Sequence, residues 1–214
     1  MIRIDHAIMA TAQLEKTTRR LREQYGLGCL QGGLHPDGTR TWFIPLGSKY
    51  VNYIEILTVE DVERARKDFF GRWLLERIEE GESFVGWALQ TDEIDAICAR
   101  LNLLPEDGGV ARPDGWRTSW TEAGFEQAGT SGWLPFFISY HNVDARRERA
   151  RADLLQVQHA IEPIEISWIS VGGNQQQLQQ WMGSSTLPVR VVDAQPPGVQ
   201  AVGIRTTQGE IIVK

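Results

Sequence analysis

The chain of 214 residues is long enough to bury a core, and its 42% hydrophobic and 23% charged residues exclude an intrinsically disordered protein. Its formal net charge of -6 argues against a nucleic acid partner, because an acidic surface repels phosphate backbones. No apolar run approaches the ~20 residues of a membrane span, so no membrane partner is expected. With no secretory leader and two lone cysteines, Cys29 and Cys98, we expect a cytoplasmic protein with reduced thiols.

The first part of the chain has the order strand, helix, hairpin. Alternation predicts a strand over residues 3–10, and the apolar stripe after it predicts a helix with its N-cap at Thr11 and its end at Gly26. A glycine-rich segment follows. Two more strands are predicted over residues 39–46 and 50–58, joined as a hairpin by the short link at residues 47–49.

This order recurs twice. Placing His6 over Gly86 aligns IDHAIMATAQLEKTTRRL with FVGWALQTDEIDAICARL without a gap. The second copy predicts a strand over 83–90, a helix capped by Thr91 and strands over 116–122 and 134–140. The third predicts a strand over 164–171, a helix capped by Asn174 and strands over 189–193, 200–206 and 210–213.

Two charged connectors separate these copies. Residues 60–80 predict helix, with a break near Gly71, and residues 142–158 predict a helix or a solvated crossover. In the second connector, arginines alternate with acidic residues, which predicts a solvent-exposed helix face. These arginines are Arg146, Arg147, Arg149 and Arg151.

The repeat predicts an α+β fold in one domain spanning residues 1–214. Its βαβββ modules cover about 2–58, 83–140 and 164–213, with helical connectors at 60–80 and 142–158. Such modules form a curved mixed sheet, or cup, with helices on the outer face and the other face free to curve around a ligand. The sequence leaves open which modules pair.

Several motifs resemble a known family. IDHAIMATAQLEKT resembles the first strand and helix of the vicinal-oxygen-chelate superfamily, which includes glyoxalase I and the extradiol dioxygenases. HPDGTRTWFIPLGSKYVNYIEIL is similar to the glyoxalase-like domain family in particular, and FVGWALQTDEIDAI and WLPFFISY resemble its later segments. The matching positions in the longest segment are His35, Gly38, Thr39, Pro45, Leu46, Gly47, Tyr53 and Glu55.

The resemblance implies a divalent metal (Zn, Fe, Mn or Ni) held by His, Glu or Gln from the first and last strands of the modules. His6 and Glu55 occupy the two positions of the first module, where an ion with an open position would act as a Lewis acid. The second module departs from the pattern, because Gly86 stands where a second His would be. The third module offers Glu165 or Ser167 on its first strand and Glu210 on its last.

Glu55 and His35 are the candidates for catalysis. A carboxylate in an apolar strand is costly unless it is paired, ligated or protonated, which favours a functional Glu55 over a solvated strand end. His35 is either an acid or base at the mouth of the cup or part of a glycine-relieved turn. His6 is either a ligand or acid–base group facing the cup, or a buried histidine with a satisfied hydrogen bond.

Five residues are candidates for substrate contacts. Arg40 and Trp42 share a strand face, although an exposed Arg and a core Trp are the alternative. Tyr140 and His141 lie at a strand end, a usual place for site residues, although an exposed His at the start of a charged crossover is the alternative for His141. Trp87 is one of eight tryptophans, which suit a cavity with apolar walls and a few polar groups.

These features predict a metal-dependent lyase, isomerase or dioxygenase acting on a small oxygen-bearing molecule. Two alternatives stay open. The cup could bind an apolar small molecule without metal or chemistry. It could also be a structural relic that is filled by side chains or used to form a homodimer. Three or more His, Glu, Gln or Asp side chains converging on one point would favour the enzyme, whereas His6 and Glu55 alone would favour binding.

Overall fold

The computed structural model describes residues 1–48, 50–183, 186–194 and 196–214. The first module comprises β1 (Arg3–Ala10), α1 (Leu14–Tyr25), β2 (Leu30–Leu34), β3 (Thr39–Pro45) and β4 (Tyr53–Val59). Helices α2 (Val62–Ala65) and α3 (Phe69–Glu79) follow. The second module comprises β5 (Ser83–Gln90), α4 (Ile94–Leu101), β6 (Glu106–Ala111), β7 (Arg117–Ala123), α5 (Phe125–Ser131) and β8 (Phe136–Tyr140). After α6 (Val143–Gln156), the third comprises β9 (Pro163–Gly172), α7 (Gln175–Met182), β10 (Val189–Val192), β11 (Gly198–Thr206) and β12 (Gly209–Val213).

The first two modules close into a barrel with the strand order β1-β4-β3-β2-β6-β7-β8-β5. Within each module the first and last strands are parallel neighbours, β1 with β4 and β5 with β8. The modules meet along the antiparallel pair β1–β5 and, on the other side, at Leu34 of β2 and Ala111 of β6. The predicted α+β class with a curved mixed sheet is confirmed, and the pairing left open by the sequence is between the first and second modules.

The third module forms a separate four-stranded sheet on the outside of this barrel, in the order β10-β9-β11-β12. Its strand β11 lies against β5. The outer face of β1 and β5 and the inner face of this sheet share one hydrophobic core, to which α1, α4 and α7 also contribute. Fully or almost fully buried members of this core include Met9, Leu21, Trp87, Leu89, Ile169, Leu178, Val202 and Ile204.

The two barrel modules begin their first helices in the same way, but not at the predicted caps. Thr11 Oγ1 accepts a hydrogen bond from the backbone N–H of Gln13, and Thr91 Oγ1 accepts one from that of Glu93. Each threonine therefore closes a turn before the helix, and the N-cap positions are Gln13 and Glu93. Asn174, in contrast, is the N-cap of α7 as predicted.

The connecting segments differ from the predictions in three places. The break in the first connector lies at residues 66–68, where Asp68 caps α3, and Gly71 lies inside α3. Two elements of the second module were not predicted: β6, before the strand predicted over 116–122, and α5, between that strand and the one predicted over 134–140. Of the predicted link at residues 47–49, Lys49 is outside the described residues, and β4 begins only at Tyr53.

His159 ties the segment after α6 to the first module. Its Nδ1 accepts a hydrogen bond from the backbone N–H of Gly28, and its Nε2–H donates to the carbonyl oxygen of Pro45, each over 3.0 Å. Burial lowers the pKa of His159, which the hydrogen bond to Pro45 offsets only in part. Among the described residues, no helix combines the length and the apolar character needed to cross a bilayer.

Candidate functional site

The barrel encloses a cavity of about 750 Å³. Side chains from both modules line it, including His6 of β1, Glu55 of β4, Glu122 of β7 and Tyr140 of β8. Helix α6 borders it where β8 ends, and α5 and the start of α3 border it where β8 begins. A cavity of this size with a few polar groups is typical of a small-molecule site.

His6 is one of the most enclosed polar side chains of this cavity, with 3% of its surface exposed. Its ring stacks on Tyr53 at a centroid distance of 4.8 Å and makes a T-shaped contact with Phe136 at a centroid distance of 5.7 Å. Nδ1 lies 2.8 Å from Oδ2 of Asp5, and Nε2 lies 3.5 Å from Oε2 of Glu55. The ring is thus fixed between two carboxylates.

Asp5 reaches the same side of the strand as His6 because the register of β1 against β5 shifts between Ile4 and His6. It is fully buried, yet three side chains donate to it. Arg146 Nη2 lies 2.9 and 3.1 Å from its two oxygens, and the Tyr140 hydroxyl donates over 2.9 Å. Burial alone would raise the pKa of Asp5, but the charge of Arg146 and the hydrogen bonds from His6 and Tyr140 outweigh it and lower the pKa.

The charge of Asp5 fixes the tautomer of His6. An ionised carboxylate only accepts hydrogen bonds, so Nδ1 of His6 must carry a proton and donate it. The other nitrogen, Nε2, then faces Glu55 and is the ring atom free to bind or release a proton. Because Nε2 and the Glu55 carboxylate attract each other only when one of them is protonated, the pair is suited to hold a single proton.

Arg146 closes this arrangement from α6. It is 9% exposed, and its guanidinium lies 3.7 Å from the centre of the Tyr140 ring and 5.8 Å from that of Tyr53. The interpretation of the arginines of α6 as a solvent-exposed face is therefore wrong for Arg146. Arg149 also departs from it, because it pairs with the buried Asp153 of the same helix.

His35, the second predicted catalytic residue, joins the site through Thr41. The Thr41 hydroxyl donates to Glu55 Oε1 over 3.1 Å and lies 3.4 Å from His35 Nε2. On the other side, His35 Nδ1 lies 2.8 Å from the hydroxyl of Thr39, which donates to Asp37 over 2.7 Å. A chain of polar contacts therefore leads from the loop at Asp37 through His35 and Thr41 to Glu55.

Glu122 is a further acidic group of the cavity that sequence reasoning missed. It lies on β7, and its Oε2 accepts a hydrogen bond of 2.6 Å from Nε1 of Trp120. Burial raises its pKa above the usual glutamate value, although the hydrogen bond from Trp120 acts in the opposite direction. Glu106 and Glu55 raise the pKa further and His6 lowers it, so all three lie within electrostatic reach of Glu122. The sequence feature that could have indicated Glu122 is its place near the end of a predicted strand, two positions after Trp120 and therefore on the same face.

Among the predicted substrate contacts, Tyr140 lines the cavity, and four others do not. Trp87 is fully buried in the outer core, where its indole N–H donates to the carbonyl oxygen of Trp133. Trp42 also packs against that core, and Arg40 forms an ion pair with Glu60. His141 is exposed beside Thr121, because the chain leaves the barrel at Tyr140. The expectation that these four residues contact a substrate therefore does not match their positions.

The donor set does not fit the expected metal site. His6 and Glu55 lie together, but Gly86 leaves the matching position of the second module without a side chain, and a Cβ built there would meet only Ile8. In the described parts of the chain, no group of three His, Cys, Asp or Glu side chains is placed to hold a metal ion. Protein sites for such ions use at least three ligands, so we derive no chemical step through a metal.

The mouth beside α6 is rich in paired charges. Arg112 forms two hydrogen bonds of 2.9 and 3.0 Å to Asp153, and its guanidinium lies 4.3 Å from the centre of the Phe43 ring. Arg149 contacts the same Asp153 and also Asp114. At the border formed by α5 and the start of α3, Phe70 and Phe125 pack together with their ring centres 5.0 Å apart, beside the acidic Asp68 and Glu126. A ligand therefore meets a border of paired charges on one side and an aromatic and acidic one on the other.

Several known proteins are similar to this chain. A hypothetical protein from Staphylococcus aureus shares the fold at 16% identity, with a TM-score of 0.63 over 99% of this chain and 84% of that chain. A methylmalonyl-CoA epimerase from Streptomyces coelicolor aligns at 21% identity over 66% of this chain and 96% of its own, with a TM-score of 0.46. The Mycobacterium tuberculosis epimerase aligns at 16% over 64% and 85%, with a TM-score of 0.42. No curated protein matches the chain. The sequence model described as "Glyoxalase-like domain" matches residues 4–186, and the chain therefore belongs to the glyoxalase-like domain family.

Proposed function

We propose that the protein is an isomerase or lyase that moves a proton on a small oxygen-bearing molecule bound inside the barrel, with the His6–Glu55 pair as its acid–base group. The observation that carries this proposal is the fixed orientation of His6. Asp5 holds Nδ1 in its donor form, so that Nε2 is presented to Glu55 and to the cavity. A positioned histidine base contributes roughly 10²–10⁴-fold to a proton transfer.

The surroundings of the pair support a role in chemistry over a purely structural one. A histidine kept only for packing needs one partner for each nitrogen, and neutral partners would suffice. Here a fully buried Asp5 and its counter-ion Arg146 are placed behind the ring, at the desolvation cost of two charges. The two buried charges orient the His6 side chain. A carboxylate hydrogen-bonded to a histidine has the same orienting role in known acid–base sites.

His35 supplies a route for the proton to leave. Once the pair has taken a proton, turnover requires its return to solvent or to the product. The chain of contacts from Glu55 through Thr41 to His35 ends at a loop whose Pro36 is exposed. We therefore assign His35 to proton exchange with solvent and not to direct contact with the reacting carbon.

The cavity walls support a substrate with one oxygen-bearing end and an apolar body. His6, Glu55 and Tyr140 supply polar groups to the cavity, whereas Phe43, Phe125 and Ile138 supply apolar surface to it. A second candidate function is binding without chemistry. It is favoured by the incomplete donor set at Gly86, because two ligating side chains alone match the expectation for a binding protein.

Deuterium exchange separates these two functions. The protein is incubated in D₂O with a panel of 2-hydroxy ketones and 2-oxo acids, and binding and carbon-bound deuterium are followed by NMR. We expect the wild type to exchange at least one bound ligand, and His6→Asn to bind it while exchanging it about 10²-fold or more slowly. His141→Asn is the matched control, because His141 lies outside the cavity. Binding of panel members without any exchange would support sequestration instead.

The same samples test whether a metal contributes. Elemental analysis of protein purified without a metal-affinity tag is compared between the wild type, His6→Ala and Glu55→Ala. Exchange that disappears with a chelator and returns with one equivalent of Zn, Mn, Fe or Ni would contradict a proton transfer carried by protein groups alone. Exchange that is unchanged by the chelator and lost in His6→Asn would support it.

A further inference from the structure

Glu122 lies in a setting that favours a neutral carboxyl group. It is paired directly across the β6–β7 ladder with Glu106, and both side chains line the cavity. Residues opposite each other on antiparallel strands project to the same side of the sheet, where two like charges destabilise the pair. Glu55 adds a third carboxyl group to the same cavity. One proton on Glu122 relieves this repulsion.

The position of Glu122 depends on an indole that has room only because residue 108 is glycine. Gly108 lies opposite Trp120 in the ladder, and a Cβ at position 108 would lie 2.5 Å from Nε1 and 2.6 Å from Cε2 of that indole. The indole rests on the backbone of Gly108 and directs its N–H to Oε2 of Glu122. Among the described residues, no hydrogen-bond donor reaches the other oxygen, Oε1, so that oxygen is left for a ligand.

We propose that Glu122 is the proton donor of this site, giving its proton to a carbonyl oxygen of the substrate while the His6–Glu55 pair removes a proton from the adjacent carbon. This inference rests on the proton-transfer function proposed above. It places an acid on β7 of the second module and the base on β1 and β4 of the first. The substrate class is then a carbonyl compound with a hydrogen on the neighbouring carbon.

The step balances in atoms and charge. The C–H bond breaks, and its proton joins Nε2 of His6. The electron pair of that bond forms a carbon–carbon double bond, and the carbonyl pair moves onto oxygen. That oxygen takes the proton of Glu122, leaving an enol, a Glu122 carboxylate and a protonated His6–Glu55 pair. Return of the proton of the pair to the same carbon, and of the enol O–H proton to Glu122, regenerates the substrate with its C–H hydrogen exchanged. Where the neighbouring carbon carries a hydroxyl group, the enol is an enediol: the pair then protonates the former carbonyl carbon, the other hydroxyl returns its proton to Glu122, and an isomerisation is complete without an oxidant or reductant.

The neutral acid takes the role that a metal would have toward the same oxygen. An ion stabilises an enolate by its charge, whereas a carboxylic acid does so by donating a hydrogen bond and then the proton itself. Burial raises the pKa of the partly buried Glu122, and the nearby carboxyl groups of Glu106 and Glu55 raise it further, whereas the hydrogen bond from Trp120 and the nearby His6 lower it. Trp120 and Gly108 are positioning residues in this scheme.

The first arm of the test reads the protonation state of Glu122 without any ligand. Protein labelled with ¹³C at the glutamate carboxyl is titrated by NMR, and Glu122→Gln identifies the signal. We expect Glu122 to stay protonated at a pH where the exposed glutamates are ionised. In Trp120→Phe and Gly108→Ala, the signal should titrate at still higher pH, because the N–H that favours the carboxylate is lost or displaced. A Glu122 carboxyl that titrates with the exposed glutamates overturns the inference.

The second arm uses deuterium exchange into hydroxyacetone and pyruvate. Gln at position 122 still donates a hydrogen bond but cannot transfer a proton, so Glu122→Gln should bind these probes within a few-fold of the wild type and exchange them 10²-fold or more slowly. Glu148→Gln is the matched control, because Glu148 is exposed on α6 and does not line the cavity. If His6→Asn abolishes exchange and Glu122→Gln does not, the donor role fails and the proposed function stands. If the wild type exchanges neither probe nor any member of the wider panel, both fail.

Discussion

Replacing Arg146 by Met should destabilise the protein strongly, because it leaves the Asp5 carboxylate buried without its counter-ion. Arg146 donates to both oxygens of Asp5, which has no exposed surface. Breaking a buried pair from one side costs about 3–5 kcal/mol. At the 2–4 °C per kcal/mol expected for a chain of this length, Tm should fall by about 6–20 °C. Urea unfolding followed by circular dichroism measures the change.

The effect should also depend on pH. Without Arg146, Asp5 can avoid its unpaired charge by binding a proton, so the deficit should be largest at neutral pH and shrink as the pH falls toward the usual Asp value of about 3.9. Arg147→Met on the same helix is the control, since its pair with Asp144 is exposed and should be worth less than about 1 kcal/mol. Adding Asp5→Asn to Arg146→Met should recover part of the loss. A loss for Arg146→Met no larger than that for Arg147→Met would refute this reasoning.

Two further predictions concern single hydrogen-bonding side chains. His159 has a lowered folded pKa, so its contribution to stability is complete above its unfolded pKa of about 6.5 and is lost as the pH falls below that value. The difference in unfolding free energy between the wild type and His159→Ala should therefore narrow between pH 6.5 and 5. A difference that widens on acidification would contradict a neutral His159 ring that accepts a hydrogen bond from Gly28 and donates one to Pro45. Asn174→Ala removes the cap of α7 and should lower the free energy of unfolding in urea by about 1 kcal/mol. Asn174→Asp keeps an acceptor at this position and should leave the free energy of unfolding nearly unchanged. Equal changes in the two variants would show that the cap does not contribute.

The parts of the fold that were predictable from sequence are those with a clear pattern of apolar residues along the strand or helix. β1 matches its predicted range because seven of its eight residues are buried and bounded by turn residues. Segment β6 was missed because EDGGVA has few β-formers and largely exposed side chains. The short α5 has a glycine in the left-handed backbone conformation as its N-cap, Gly124, and another as its C-cap, Gly132. In the sequence, such glycines indicate a loop and not a helix.

The candidate site was predictable only in the part that follows strand alternation and the repeat. His6, His35 and Glu55 were chosen from one module, and the structure places all three around one cavity. Asp5 was not chosen, because strict alternation directs it away from His6, and only the shift in register against β5 reverses this. Arg146 could not be separated from its neighbours on α6, since a charge-rich helix hides which residue meets a partner 141 positions away.

The closed barrel also determines where the molecule presents open sheet edges. Every barrel strand has a hydrogen-bonded neighbour on each side, so the edge strands among the described residues are β10 and β12 of the outer sheet. Both are short, at four and five residues, and carry exposed charges at Arg190 and Glu210. Short, charged edges resist strand addition and the growth of intermolecular sheets. A second copy that extended this sheet would have to align its own backbone with those charges, so lateral sheet fusion is disfavoured at both edges.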